Sequence, residues 1–383
     1  MINRMVWNQT AYFGPGAITA IPNELRRRSF TKAFVVTDPV LIETGVAQKV
    51  LSLLDDEAFP YVVFSDVKPN PPIENVLAGL AAFDEAKADV LIAIGGGSPQ
   101  DTCKAIGIIA NNREFSDVRS LEGTAATTNP SVPIIAIPTT AGTASETTIN
   151  YVITDTENKR KFVCVDPHDI PILAIVDPEM MASAPRGLKV STGLDALTHA
   201  IEGYITAGAF DLSDMFHIKA IQMIATALPS AADGDPEAAD QMAMAQYIAG
   251  MGYSNVGLGL VHGMSHPLGA FFNAPHGLAN GILLAAVLEY NAPNSGEKYR
   301  AIGEAFGVDG ARTLPIEEVR EQTVAAIRDF AIKLGNPTSI SAIGATEADI
   351  PSLAEAAYAD VCTGGNPRKT NPEEIAAIYR SLL

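Results

Sequence analysis

Between Ala33 and Val176, short runs of β-branched residues alternate with stretches of helical periodicity, and few folds satisfy that alternation. The runs AFVVT (33–37), YVVF (61–64), VLIAI (90–94), PIIAI (133–137) and ILAIV (172–176) read as strands. Leu41–Leu54, Ile73–Ala86 and Ser98–Asn111 carry the apolar repeat of helices. Strand and helix in turn predict a mostly parallel sheet flanked by helices. INYVIT and KFVCVD, on either side of Asp155-Thr156-Glu157-Asn158, predict a hairpin, a local exception to the parallel pattern. At Asp177–Pro185 the character changes: beyond this proline-bounded connector, Ala-, Leu- and Met-rich helical patterns run to the C-terminus. The fold class expected is therefore an α/β N-terminal domain (1–180) with a dinucleotide-type parallel sheet, followed by an all-helical C-terminal domain (181–383). Chemistry is expected where the two meet, since ligand sites favour domain interfaces.

Composition narrows the function. A net charge of -18 over 383 residues argues against nucleic acid as a partner, because phosphates select basic surfaces. Cys103, Cys164 and Cys362 are far apart and odd in number, which implies a reducing compartment and no thiolate metal site. The N-terminal MINRMVWNQTAYFG lacks a signal-peptide core, and the longest apolar run, GILLAAVL, falls far short of a membrane span. A cytoplasmic protein with no membrane partner is the expectation.

After VLIAI comes Gly95-Gly96-Gly97-Ser98-Pro99-Gln100-Asp101. Ser98 is expected to cap the next helix, with Pro99 at its first position and Asp101 bonding back to the cap. Bare backbone leading into a helix N-terminus lets amide N–H groups approach a phosphate. The loop matches neither GxGxxG nor a Walker loop, and three glycines equally make a plain tight turn. Two further strand ends favour a ligand: Asp38 closes AFVVT, and PIIAI runs into Pro138-Thr139-Thr140-Ala141-Gly142-Thr143. A dinucleotide would use all three. Asp38 can bond a ribose 2′-hydroxyl but repels a 2′-phosphate, which predicts NAD(H) over NADP(H).

In the second half, Asp195 and His199 lie four apart, as do His262 and His266, with His276 following in NAPHG. Residues four apart share a helix face, so each pair can aim two donors at one point. If 261–276 were one helix, His262 and His276 would stand roughly 21 Å apart; both reach one ion only if the helix breaks, and Pro267, Gly269, Asn273 and Pro275 are the candidate breakers. Nitrogen and oxygen donors without thiolate suit a catalytic divalent ion, zinc or ferrous iron. HGMSH is not HExxH, since Gly263 stands where a metalloprotease carries its glutamate. Beside a dinucleotide, the ion's task would be to polarise a carbonyl during hydride transfer. Five donors exceed a tetrahedral set; Asp195, His199 and two or three of the other histidines suffice, and a spare imidazole becomes a proton relay or support. His168 and His217 are isolated and read as structural or surface residues.

AIGGGSPQDTCKAIGI, IPTTAGTASETT, STGLDALTHAIEGY, GLVHGMSHPLGAFFNAPHG and CTGGNPR together resemble the iron-dependent alcohol dehydrogenases, which share their fold with glycerol dehydrogenase and dehydroquinate synthase. The resemblance runs nearly end to end. It implies reversible, NAD(H)-linked reduction of a small aldehyde to an alcohol or diol, with Fe(II), or zinc as a substitute, on Asp195, His199, His262 and His276. His266 is left as the unliganded active-site histidine. It also places NAD on Asp38, Asn70, Gly96, Gly97, Ser98, Asp101, Thr139, Thr140, Thr143 and Lys161, with Asn150 near the nicotinamide. Tyr253 and Cys362 are weaker candidates for the substrate pocket. The family further implies a homodimer in which MINRMVWNQTAYF contributes a strand across the interface.

Overall fold

The computed structural model describes residues 2–383, and the chain divides into two compact units, Met1–Ala184 and Pro185–Leu383. The first holds β1 (Thr10–Phe13), β2 (Ala33–Val36), β3 (Tyr61–Phe64), β4 (Val90–Gly95), β5 (Ile134–Pro138), β6 (Asn150–Asp155), β7 (Arg160–Val165) and β8 (Leu173–Val176). Six of these form one parallel sheet in the order β1-β8-β5-β4-β2-β3, while β6 and β7 pair antiparallel as the expected hairpin. The helices are α1 (Ile21–Arg27), α2 (Pro39–Glu43), α3 (Val46–Asp56), α4 (Ile73–Ala86), α5 (Gly97–Asn111) and α6 (Pro178–Met181). The single helix expected over 41–54 is two helices, because Gly45 takes the left-handed conformation (φ 76°) that ends one and starts the next. In the N-terminal segment the strand residues Thr10–Phe13 lie along β8 of the same chain, from Thr10↔Leu173 to Phe13↔Val176.

Successive side chains of a strand point to opposite faces, and here each face has its own core. Phe34 and Val36 of β2 and Leu91 and Ala93 of β4 pack with α4, α5 and the hairpin. Ala33, Val35, Ile92 and Ile94 pack with α1 and α3. A sheet covered on both sides needs continuous apolar strands, which is why these runs show no polar alternation.

Register brings the strand ends together. Val36 lies opposite Ala93 and Gly95 opposite Pro138, so Asp38, the glycine loop and the Thr139 loop leave the sheet at one level. Chain connections diverge between β2 and β4: β2 leads outward to β3, β4 the other way to β5. That divergence is the switch point at which open parallel sheets bind ligands.

The second unit contains α7 (Arg186–Ile205), α8 (Asp211–Ala232), α9 (Pro236–Val256), α10 (Leu260–Phe272), α11 (His276–Asn291), α12 (Lys298–Ala305), α13 (Ile316–Leu334), α14 (Ile350–Ala359) and α15 (Pro372–Arg380). No described residue beyond Val176 belongs to a strand. From Val190 to Ile205, α7 is buried at every position except Thr192; a helix buried all round is a core helix, and α8, α9 and α11 surround it. Among the described residues, no helix is long and apolar enough to cross a membrane.

Candidate active site

In the first unit the glycine loop differs in detail from expectation. Helix α5 begins at Gly97 with Gly96 as its N-cap, and no side chain caps it. Ser98 and Pro99 therefore sit inside the first turn. Asp101 does not bond back to the cap; its carboxylate accepts from Ser145 Oγ (2.9 Å) and the Val152 N–H (3.1 Å), tying α5 to the hairpin. The first-turn amides are thus left without a side-chain partner, which is the arrangement that receives an anion. The cradle is tight: a Cβ on Gly96 would lie 3.2 Å from Thr140 Oγ1, and one on Gly97 3.1 Å from Thr143 Cγ2, so either threonine would have to shift.

Around it, Asp38 N-caps α2 through the Leu41 N–H (3.0 Å), and Thr139 is buried, its N–H bonded to Gly95 O at 3.2 Å. Asn70, in the left-handed region at φ 52°, accepts from Lys161 Nζ at 2.7 Å. Asn150 opens β6 with its side-chain oxygen buried and unpartnered among the described residues, a polar atom of the kind a ligand satisfies. Sequence reasoning overlooked the group that braces it. Lys104 is fully buried, and its Nζ donates to Thr148 O (2.7 Å), Thr148 Oγ1 (2.9 Å) and Asn150 O (2.8 Å). The residues present fit a dinucleotide.

In the second unit Asp195 Oδ1 lies 3.9 Å from His199 Nε2, 3.9 Å from His262 Nε2 and 3.6 Å from His276 Nε2. Ligands about 2.1 Å from one ion in a tetrahedron stand about 3.4 Å apart, so these donors have nearly the spacing of a metal centre. His199 and His262 stack with ring centroids 4.7 Å apart, and His262 and His276 approach to 5.2 Å. Helix α10 runs through both Pro267 and Gly269; the break that returns His276 to His262 is made by Asn273, left-handed at φ 52°, and by Pro275, the N-cap of α11. Burial pushes His262 down to about 4, so its imidazole is neutral at neutral pH, as a ligand must be. Asp195, His262 and His276 bring their ligating atoms within 4.8 Å of one another, a set that fits a divalent ion, and His199 offers a further donor 3.9 Å from Asp195.

Two buried residues surround these donors. Glu202, one further step along the Asp195–His199 face of α7, accepts the Val261 N–H at 2.6 Å and places its other oxygen 2.6 Å from His262 Nδ1. Burial pushes it up to about 7, against the pull of backbone N–H groups; a divalent cation alongside would act in the same direction as those N–H groups. Asn280, one turn after His276, donates to Asp195 Oδ1 at 2.7 Å, and its own oxygen is buried without a partner among the described residues. Both follow the helical spacing of the candidate donors, a signal that attention to histidine and aspartate alone passes over.

His266 stands apart from the four. Its Nδ1 pairs with Asp360 Oδ2 at 2.8 Å while its ring stacks on His276 at 5.4 Å. Burial alone would raise Asp360, but the His266 charge and hydrogen bond hold it below the usual carboxylate value. Nothing local in the chain connects residues 94 positions apart. Tyr253 stacks on His199 at 4.2 Å. Cys362 is half-buried, its backbone N–H bonded to Asp360 at 2.9 Å. His168 is exposed and His217 wholly buried.

Residues 8–178 match the model of the family described as iron-containing alcohol dehydrogenase, and residues 189–383 match its C-terminal part. The chain belongs to the iron-containing alcohol dehydrogenase family. It is 56% identical over 381 residues to lactaldehyde reductase of Escherichia coli K12, covering 100% of both chains. It is 40% identical to 1,3-propanediol dehydrogenase of Klebsiella pneumoniae over 97% of this chain and 96% of the relative. An alcohol dehydrogenase structure from Oenococcus oeni superposes with a TM-score of 0.96 at 34% identity, covering 100% of each chain. As a member, the protein is an enzyme that interconverts small alcohols and aldehydes with NAD(H) and iron.

Proposed function

We propose that the protein catalyses the reversible, NADH-linked reduction of lactaldehyde to 1,2-propanediol, accepting other short aldehydes, alcohols and diols. The observation that carries this reading is the set in which buried Asp195 faces buried His199 and His262 and half-buried His276; full-length 56% identity to a lactaldehyde reductase supports the substrate. In this reading those four residues hold Fe(II), and Zn(II) substitutes because such donors do not exclude it. Bound there, a divalent ion supplies Lewis acidity toward a carbonyl or alkoxide oxygen.

The rest is work for the chain's own side chains. Asp38 bonds the ribose hydroxyl and disfavours a 2′-phosphate. Gly96, Gly97, Ser98 and the first turn of α5 receive the pyrophosphate, with Asp101, Thr139, Thr140 and Thr143 shaping the loop around it and Asn70 and Lys161 completing the nucleotide contacts. Asn150, held by Lys104, orients the nicotinamide. His266, with Nδ1 committed to Asp360, uses Nε2 to exchange the proton of the substrate oxygen. We read the enzyme as cytoplasmic, consistent with three unpaired cysteines, and as a homodimer. The relative named for 1,3-propanediol favours, as a second reading, a general short-chain alcohol dehydrogenase.

Anaerobically purified protein stripped of metal is expected to stop oxidising NADH with lactaldehyde and to recover on adding Fe(II). His262→Ala is expected to lose bound metal and turnover together. Undiminished turnover in metal-free protein overturns the reading, and a higher kcat/KM on a linear primary aldehyde favours the second one.

A further inference from the structure

Asp195, His199 and Glu202 occupy successive turns of one face of α7, but only the first two point at the donor cluster. Glu202 instead meets the start of α10. Its Oε1 accepts the Val261 N–H at 2.6 Å, while its Oε2 faces the His262 N–H at 3.4 Å and His262 Nδ1 at 2.6 Å. All of these groups are buried. Gly259, where α10 is capped, lies so close that a Cβ there would stand 2.9 Å from Glu202 Oε1 and displace it.

We infer that Glu202 is the positioning residue of the metal centre, holding His262 in the tautomer that carries its proton on Nδ1 and aims the Nε2 lone pair at the point Asp195 faces. The inference rests on the reading that Asp195, His199, His262 and His276 are the ligands. A neutral imidazole has one donor and one acceptor nitrogen, and the partner of one nitrogen dictates the state of the other. With one Glu202 oxygen taking the Val261 N–H and the other 2.6 Å from Nδ1, a proton shared in that contact lies on the Nδ1 side of the ring and Nε2 is left as the acceptor. The same carboxylate takes the Val261 N–H, so the ring's orientation and the docking of α10 on α7 depend on one side chain. A carboxylate behind a ligating imidazole also raises its basicity, and removing such a partner typically costs on the order of 10- to 100-fold in metal affinity.

Glu202→Gln separates the alternatives at nearly constant volume. Turned one way, the Gln amide presents N–H to His262 Nδ1, which must then accept, moving the imidazole proton to Nε2. Turned the other way, it sets N–H against the Val261 N–H. Neither orientation reproduces the carboxylate. The test is Zn(II) affinity by chelator competition on full-length wild type, Glu202→Gln and His262→Ala, with NADH binding as the check that the first unit is intact. Glu202→Gln is expected to bind Zn(II) roughly 10- to 100-fold more weakly with NADH affinity unchanged. In 15N-histidine spectra of the zinc-loaded wild type, His262 is expected to show a protonated Nδ1 and a metal-bound Nε2.

If His262→Ala loses the metal but Glu202→Gln keeps wild-type affinity, Glu202 is only a structural contact and the inference fails, while the ligand assignment stands. If His262→Ala also keeps its affinity, the assignment itself fails. Should Glu202→Gln not fold, the wild-type spectrum decides alone: a protonated Nε2 on His262 overturns the inference.

Discussion

Gly277, the residue after His276, tests whether the metal donors depend on helix packing as closely as the geometry implies. A Cβ built there would lie 2.1 Å from Ser191 O, 2.7 Å from Ser191 C and 3.1 Å from Asp195 Cβ. The first two are backbone atoms of α7 and cannot rotate away. Ordinary carbon contacts begin near about 3.5 Å, so in Gly277→Ala the first turn of α11 must retreat from α7 by about 1 Å. That retreat carries His276 away from Asp195. Overpacking of this kind costs about 1–3 kcal/mol of stability, and a displacement of about 1 Å at reacting groups lowers turnover on the order of 100-fold. The assay is Zn(II) affinity by chelator competition together with kcat/KM for NADH-linked aldehyde reduction. Gly187→Ala is the control, because a Cβ at that position of α7 meets nothing within 4 Å; it should leave both quantities unchanged. Gly277→Ala with metal affinity and kcat/KM within about twofold of wild type, a difference near 0.4 kcal/mol, would refute the packing argument.

Two other substitutions probe separate parts of the molecule. His217 is fully buried between Gly203 and Gly252, where a Cβ would come within 2.3 Å of its Nε2, and neither ring nitrogen has a partner among the described residues. Burial pushes it down to about 3, so its stabilising contribution is complete above the ordinary histidine value near 6.5 and is lost as pH falls from there toward 3. At about 1.4 kcal/mol per unit, wild type should lose about 3 kcal/mol more than His217→Leu between pH 7 and 4.5 in urea unfolding; equal losses would contradict this. Asp38→Gly is expected to shift the NADPH-to-NADH preference by at least on the order of tenfold, about 1.4 kcal/mol, and an unchanged ratio in initial-rate assays removes Asp38 from cofactor selection.

The parallel sheet, the hairpin, the helical second half and most donors of the site were legible in the chain because each is written in local periodicity. Runs such as VLIAI and PIIAI are apolar at every position, and only a doubly covered strand tolerates that. Asp195 with His199, and His262 with His266, announce themselves at helical spacing, and the family resemblance implies which of them are ligands. Local reading went astray where a single dihedral or a distant partner decides. Gly45 splits one expected helix into two, and Gly96 takes the cap expected of Ser98 while Asp101 bonds Ser145 and Val152; of the four candidate breakers, Asn273 and Pro275, not Pro267 or Gly269, end α10.

What tertiary structure alone decided is the second layer of polar groups: Lys104 under Asn150, Glu202 behind His262, Asn280 on Asp195 and Asp360 behind His266. Each is buried or nearly so, and each acts across a contact between elements far apart in the chain. A buried polar group must find its partner wherever packing places one; helical spacing puts Glu202 and Asn280 on the same helix faces as the donors but does not record which atoms they meet, and for Lys104 and Asp360 it records nothing.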